Sequence, residues 1–354
     1  ADRRARSGGR ARTAGGDSAG SPPAGEDASQ QDAPIDLRDP SLYINRELST
    51  LAFIGRVFEE ALDERNPLLE RVKFLSICGM LIDEFYETRV AELRDQLESG
   101  QVVEGGRDGM TPREQLDTIH EIVLEHSAAR RRYFREVLAP QLAEEGIYLL
   151  HYPQLPEAVQ EKLREYYEKE VFPVLTPLAV DAGRPFPHIS GRSETGQRFA
   201  RLKVPPTLPR LVPVPPPEEG GARPSRLAFT WLEQVIAANI GSLFQGKEIV
   251  GTYFFRVTRN ADLTIREAES EDLLETIEES LERRLFGYAV RLEVSGAMPP
   301  DIRTWLADQL EIGQQDVHVL DGMLGMTALA ALGRIDRLDL KDPPFVPTLP
   351  AEWP

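Results

Sequence analysis

Apolar residues recur every three to four positions from Leu51 to Leu97, and the recurrence breaks at Asn66-Pro67. That period predicts two helices joined as a hairpin. Ser49 offers a capping hydroxyl for the first, whose apolar stripe is Leu51, Ile54, Phe58 and Ala61, with Val57 and Leu62 beside it. Asn66 is placed to cap the second, with Pro67 at its first position. Its stripe runs Leu68, Val72, Leu75, Ile82, Phe85 or Tyr86, Val90, Leu93 and Leu97, and Gly100 ends it. After a polar loop, Thr111-Pro112-Arg113-Glu114 reads as a capping box that opens a third long helix through Leu116, Ile119, Val123, Tyr133, Val137 and Leu142. Pro140 is expected to kink this helix late, and Gly146 to end it.

The period changes at Ile147. IYLLH reads as a strand and Pro156–Val171 as a helix. VLTPLAV reads as a buried strand, 183–191 as a turn-rich loop holding His188, and RFARLKVP as an alternating strand. Residues 205–224 are proline-rich and predict an extended loop. Then follow a helix Thr230–Leu243, a strand IVGTYFFRVTR, a helix Ser270–Leu285, a strand YAVRLEV, a helix Pro300–Leu310 and a strand DVHVL. The fold class is therefore α+β: an all-helical N-terminal domain over 41–149, then an α/β domain over 150–343. Residues 1–40 carry almost nothing apolar and are expected to be a disordered tail. The proline-punctuated 344–354 reads as the start of a linker.

Polar residues inside the apolar pattern are the candidate chemistry. Asp83, Glu84 and Arg89 lie near the middle of the second helix. Adjacent carboxylates point about 100° apart on a helix, so Asp83 and Glu84 do not make a paired acid/base site. They can bond Arg89 or Arg56 as a structural network, or they can border a ligand. Arg130-Arg131-Arg132-Tyr133-Phe134-Arg135 is either a solvated basic face or an anion or interdomain contact. The five histidines are scattered, and His120 and His126 are spaced too far apart on one helix to share a face. Cys78 is the single cysteine and sits in an apolar helix pattern, which suits a buried small hydrophobe in a reducing cytoplasm.

Length and charge narrow the classes. A chain of 354 residues accommodates two domains, and a formal charge of −17 disfavours nucleic-acid and membrane-surface partners. No apolar run is long enough to span a bilayer. Neither a G-x-x-x-x-G-K-[ST] nor a G-x-G-x-x-G phosphate loop is present.

YINRELSTLAF, NPLLERVKFLSI, IDEFYETRVAEL, PVLTPLAV, FPHIS, RFARLKVP, FRVTRNADL, AVRLEV and DLKDPPF, in that order, resemble the long bacterial polyphosphate kinases over about residues 42–350. The resemblance implies a helical N-terminal domain and a head domain used in dimer contacts. It implies that two phospholipase-D-like domains then follow, holding the phosphorylated histidine, the basic polyphosphate tunnel and the magnesium site. By that resemblance the 354 residues are the N-terminal and head portion of an enzyme that transfers the terminal phosphate of ATP reversibly to polyphosphate, and no catalytic residue carries over. The chain begins with Ala rather than Met, which fits a fragment or processed product.

One nucleotide contact in that family is an asparagine in an S-N-L-D-E-F-type motif. Leu81 stands at its position here, followed by Ile82, Asp83, Glu84 and Phe85. The resemblance makes Leu81, Asp83 and Arg89 the candidate nucleotide-binding positions. Leucine neither donates nor accepts a hydrogen bond, so Leu81 does not reproduce what the asparagine offers a nucleotide. The segment between FPHIS and RFARLKVP is also shorter than is usual in the family, so the head sheet is expected to lack a strand or to end differently. A free-standing, non-catalytic binding or regulatory homologue is the alternative reading.

Overall fold

A computed structural model describes residues 36–99, 106–175, 177–179, 199–215, 227–261 and 287–345. Residues 1–35 of the expected disordered tail, the loop holding His188, the helix expected at 270–285 and nearly all of the expected linker lie outside these residues. The last five positions of that tail are described, and Pro40 opens a 3-10 turn through Leu42. The chain divides into two units, 1–39 and 40–354, and the description below concerns the second.

The helical hairpin is α1 (Arg46–Leu62) and α2 (Leu68–Phe85). The first cap differs from expectation: Asn45, not Ser49, accepts from the backbone N–H groups of Glu47 and Leu48. Its earlier position adds a turn, and Ser49 lies exposed inside the helix. Pro67 occupies the cap position of α2, while the Asn66 side chain donates back to the Glu60 carbonyl at 2.8 Å.

A widened turn of π type at Tyr86–Val90 joins α2 to α3 (Ala91–Glu98). The extra residue in that turn rotates the following face. Phe85 and Tyr86 are consequently both buried, where a strict period would bury one. Leu51, Ile54, Cys78, Ile82, Val90 and Leu93 share their core with Ile119 and Val123 of α4 (Pro112–Tyr133). The Thr111–Glu114 capping box forms as read. A second widened turn, Phe134–Leu138, leads into α5 (Ala139–Glu144), with Pro140 in its first turn. Gly146 then takes φ +77°, where glycine carries no Cβ penalty.

Three small sheets follow among the described residues. In the first, β1 (Ile147–Leu149) pairs in parallel with β5 (Leu227–Trp231), which pairs antiparallel with β4 (Leu211–Pro213). β4 lies inside the proline-rich stretch read as a loop. Its two apolar residues Leu211 and Val212 are buried, and the short edge strand tolerates Pro213. β5 occupies the start of the expected 230–243 helix, which shortens to α7 (Leu232–Asn239) and a 3-10 turn. α6 (Glu157–Tyr166) packs Val159 and Leu163 against Leu232, Val235 and Ile236 of α7. The second sheet pairs β2 (Pro177–Ala179) with β3 (Ala200–Leu202).

The third sheet positions the site. Its order is β6 (Phe255–Arg259), β7 (Ala289–Ser295), β8 (Val317–Leu320), with β6–β7 antiparallel and β7–β8 parallel. The strand expected from Ile249 shortens to β6. One side holds Leu292, Val294 and Val257 against α8 (Pro300–Gln309). A 3-10 segment, Met326–Arg334, not expected from the sequence, packs Leu329 and Leu332 against Leu69, Val72 and Leu75 of α2. Gly79 permits the close approach: a Cβ there would lie 3.0 Å from the Thr327 backbone nitrogen.

Candidate functional site

Strand alternation sends every second side chain to one face. In β6 that rule groups Arg256 with Thr258, and in β7 it groups Arg291 with Glu293. Register then sets Arg256 opposite Glu293, Thr258 opposite Arg291, and Glu293 beside His318 of β8. Five polar residues thus tile one face of a three-stranded sheet. Thr258, Arg291, Glu293 and His318 on that face are buried.

Asp83 of α2 meets this face. Arg256 donates from Nη1 to Asp83 Oδ1 at 2.9 Å and from Nη2 to Oδ2, a two-pronged pair. Arg291 donates from Nη2 to Asp83 Oδ1 at 2.5 Å and to the Thr258 hydroxyl at 3.0 Å. Its guanidinium carbon lies 4.4 Å from the ring centre of Tyr86. Arg256 Nη1 also reaches Glu293 Oε2 at 2.8 Å. Burial alone would raise the Glu293 carboxyl, but Arg291, Arg256 and Arg131 prevail and hold it at about 2. Arg256 shows the same contest: burial opposes its charge, and Asp83 and Glu293 overcome it and raise the guanidinium further.

From the other side comes α4. Arg131 lies 3.6 Å from Glu293 and donates to the Met323 carbonyl. Arg130 is 2% exposed, and its Nε and Nη1 meet no hydrogen-bond partner. Burial lowers both guanidinium groups, Arg130 to about 10. The solvated-face reading of this basic run therefore fails for Arg130 and Arg131, because the helix turns them toward the sheet. It holds for Arg132 and Arg135, which are exposed.

His318 sits beneath the same network. Its Nε2 lies 3.5 Å from the Tyr86 hydroxyl, and its ring packs edge-on against His120. Burial, with Arg291 nearby, pushes its imidazole down to about 3, so the ring is neutral. Arg94 of α3 pairs with Asp316, and the Tyr288 hydroxyl donates to the Ala91 carbonyl at 2.9 Å and to Asp95 at 3.0 Å.

The residues singled out in the sequence therefore separate. Asp83 joins the network, but with Arg256 and Arg291 rather than Arg89 or Arg56. Glu84 is exposed, and its backbone carbonyl receives the Thr88 hydroxyl at 2.8 Å. Arg89 is exposed and lies 3.7 Å from Glu92. Leu81 is half-buried against the core of Leu51, Ile54 and Ile82. Sequence reasoning does not pick out Arg256, Arg291 and Glu293. Their signal is nevertheless present: polar side chains at every second position between apolar ones, Arg256 and Thr258 in F-R-V-T and Arg291 and Glu293 in V-R-L-E-V.

Both Asp83 oxygens are held by guanidinium groups, so this carboxylate does not suit a divalent cation. Among the described residues no group of three His, Cys, Asp or Glu side chains could hold a metal, and no helix is long and apolar enough to cross a membrane. Cys78 is buried, and burial pushes its thiol up to about 11.

Residues 43–150 match the family model for the polyphosphate kinase N-terminal domain, and residues 158–332 match that for the polyphosphate kinase middle domain. Polyphosphate kinase 1 of Chlorobaculum tepidum is 45% identical over 323 residues, covering 88% of this chain and 46% of that protein. Polyphosphate kinase of Mycobacterium avium is 42% identical over 351 residues, covering 95% of this chain and 47% of that protein. The crystal structure of polyphosphate kinase from Porphyromonas gingivalis superposes with a TM-score of 0.66 at 25% identity, over 86% of this chain and 43% of that one. The chain spans about half the length of the relatives it matches.

Proposed function

The chain belongs to the polyphosphate kinase family, and we propose that it serves as the N-terminal and middle portion of an enzyme that moves the terminal phosphate of ATP reversibly onto inorganic polyphosphate. The single observation that carries this reading is the ordered match to both family domains, helical first and mixed second. In this reading the phosphoryl chemistry, its magnesium and the polyphosphate path belong to the remaining half of such an enzyme. The chain itself supplies a wall toward the nucleotide and a surface for self-association through the middle domain.

The wall would be the outer side of α2 around Leu81. An apolar side chain there offers contact to a base and no hydrogen bond. The arginine–carboxylate network then acts as the frame that fixes α2 against the sheet, so Asp83 positions the wall rather than touching the nucleotide. We infer a cytoplasmic setting from the single, buried Cys78 thiol.

A second reading rests on Leu81 itself: a homologue that binds a partner or nucleotide without catalysing transfer. Polyphosphate formation from ATP separates the two. The 354-residue chain should make none. The chain extended by whatever coding sequence follows Pro354 should make it under the first reading and not under the second. Synthesis by the 354 residues alone would overturn both.

A further inference from the structure

The network leaves positive charge in excess. Four guanidinium groups, from Arg130, Arg131, Arg256 and Arg291, line one small cleft with two carboxylates, Asp83 and Glu293. Both carboxylates are already engaged, Asp83 by Arg256 and Arg291, Glu293 by Arg256 and Arg131. Two further carboxylates act through space, Glu87 on Arg256 and Arg291, and Asp321 on Arg131. Neither forms an ion pair with the four among the described residues.

Arg130 is the group left over. It lines the cleft and is almost wholly buried, yet two of its nitrogens meet no acceptor, and Arg131 Nε meets none either. A buried charged donor without an acceptor is destabilising, while the same donor bonded to an anion is favourable. Water could accept these bonds but would not neutralise the surplus charge.

Size limits the occupant. The cleft holds about 20 Å³, which is room for about one water-sized group. That admits one or two oxygens of a small anion and excludes a nucleoside or sugar. The planar guanidinium fork matches the oxygen spacing of a tetrahedral oxyanion.

We propose that this cleft binds a small free inorganic oxyanion of the phosphate class, held by Arg130 and Arg131 of α4 together with Arg256 and Arg291 of the sheet. The bound anion completes the seam between the helices and the third sheet. The site requires no nucleotide and stands whether or not the phosphoryl-transfer reading does.

Thermal unfolding of the 354-residue chain tests it. Inorganic phosphate is titrated at constant ionic strength, with chloride as the balancing anion. The unfolding midpoint should rise and saturate, sulfate should reproduce the rise, and chloride alone should not. Calorimetric titration of the unaltered chain with inorganic phosphate should saturate over the same range. In Arg130→Met phosphate binding should weaken at least tenfold, whereas the exposed Arg132→Met should bind as the unaltered chain does. No saturable binding by the unaltered chain overturns the proposal, and so does an equal rise with chloride. Unchanged binding in Arg130→Met, or an equal loss in Arg132→Met, overturns it as well. Should Arg130→Met fail to fold, Arg131→Met and the calorimetry of the unaltered chain still decide.

Discussion

Asp83 and Arg291 stand 208 positions apart in the chain and meet at 2.5 Å. The Arg291 side chain is 2% exposed, so its charge has almost no access to water. Asp83 also carries both prongs of Arg256. Removing that one carboxylate would leave Arg291 with only the Thr258 hydroxyl as acceptor and Arg256 with only Glu293.

Breaking a buried pair from one side costs about 3–5 kcal/mol, because the partner stays charged and unpaired. Asp83→Asn should therefore lower unfolding stability by about 3 kcal/mol. Glu84→Gln, on the exposed side of the same helix, should stay within about 0.5 kcal/mol. Urea unfolding of both variants checks this; equal losses would mean that Asp83 does not anchor the network.

His318 gives the fold a pH dependence. Its folded value of about 3 lies below the ordinary 6.5, chiefly through burial, with Arg291, His120 and Arg131 adding and Glu293 opposing. Above 6.5 both states are neutral and the contribution is complete. Between 6.5 and 3 the unfolded chain binds the proton first, so stability falls as pH falls. The slope from this one group approaches about 1.4 kcal/mol per pH unit. His318→Phe should flatten the stability profile in that window; an unchanged slope would show that other groups cause it.

The 3-10 segment Met326–Arg334 is held largely by apolar contact. Leu329 is fully buried among Leu69, Val72 and Leu75. Leu329→Ala should cost about 2–5 kcal/mol, from the transfer energy of the removed atoms and the cavity left behind. A loss below about 1 kcal/mol in chemical unfolding would mean that the segment repacks.

Leu81→Asn restores hydrogen-bonding capacity at a half-buried position on α2. With α2 as a nucleotide wall, calorimetric titration with a non-hydrolysable ATP analogue should give tighter binding for the variant than for the unaltered chain. Equally weak binding by both would reduce the hairpin to a packing unit.

The hairpin, the Thr111 capping box and the strands at Ile147, Ala289 and Val317 are legible in the sequence because each rests on a local period or cap. The Asn45 cap is not, because Ser49 offers the same chemistry one turn later. β4 is hidden because proline composition outweighs two apolar residues. Asp83 stands out as a charge in the wrong place, but its partners cannot be chosen from the sequence. Arg89 and Arg56 are near in sequence and solvate their charges at the surface, whereas Arg256 and Arg291 come from strands about 170 to 210 positions later. The sequence by itself determined that charges lie within apolar helices and strands. Only the tertiary structure decided which charges meet, because ion pairing inside a fold follows strand register and helix facing, and both are set by the packing of distant segments.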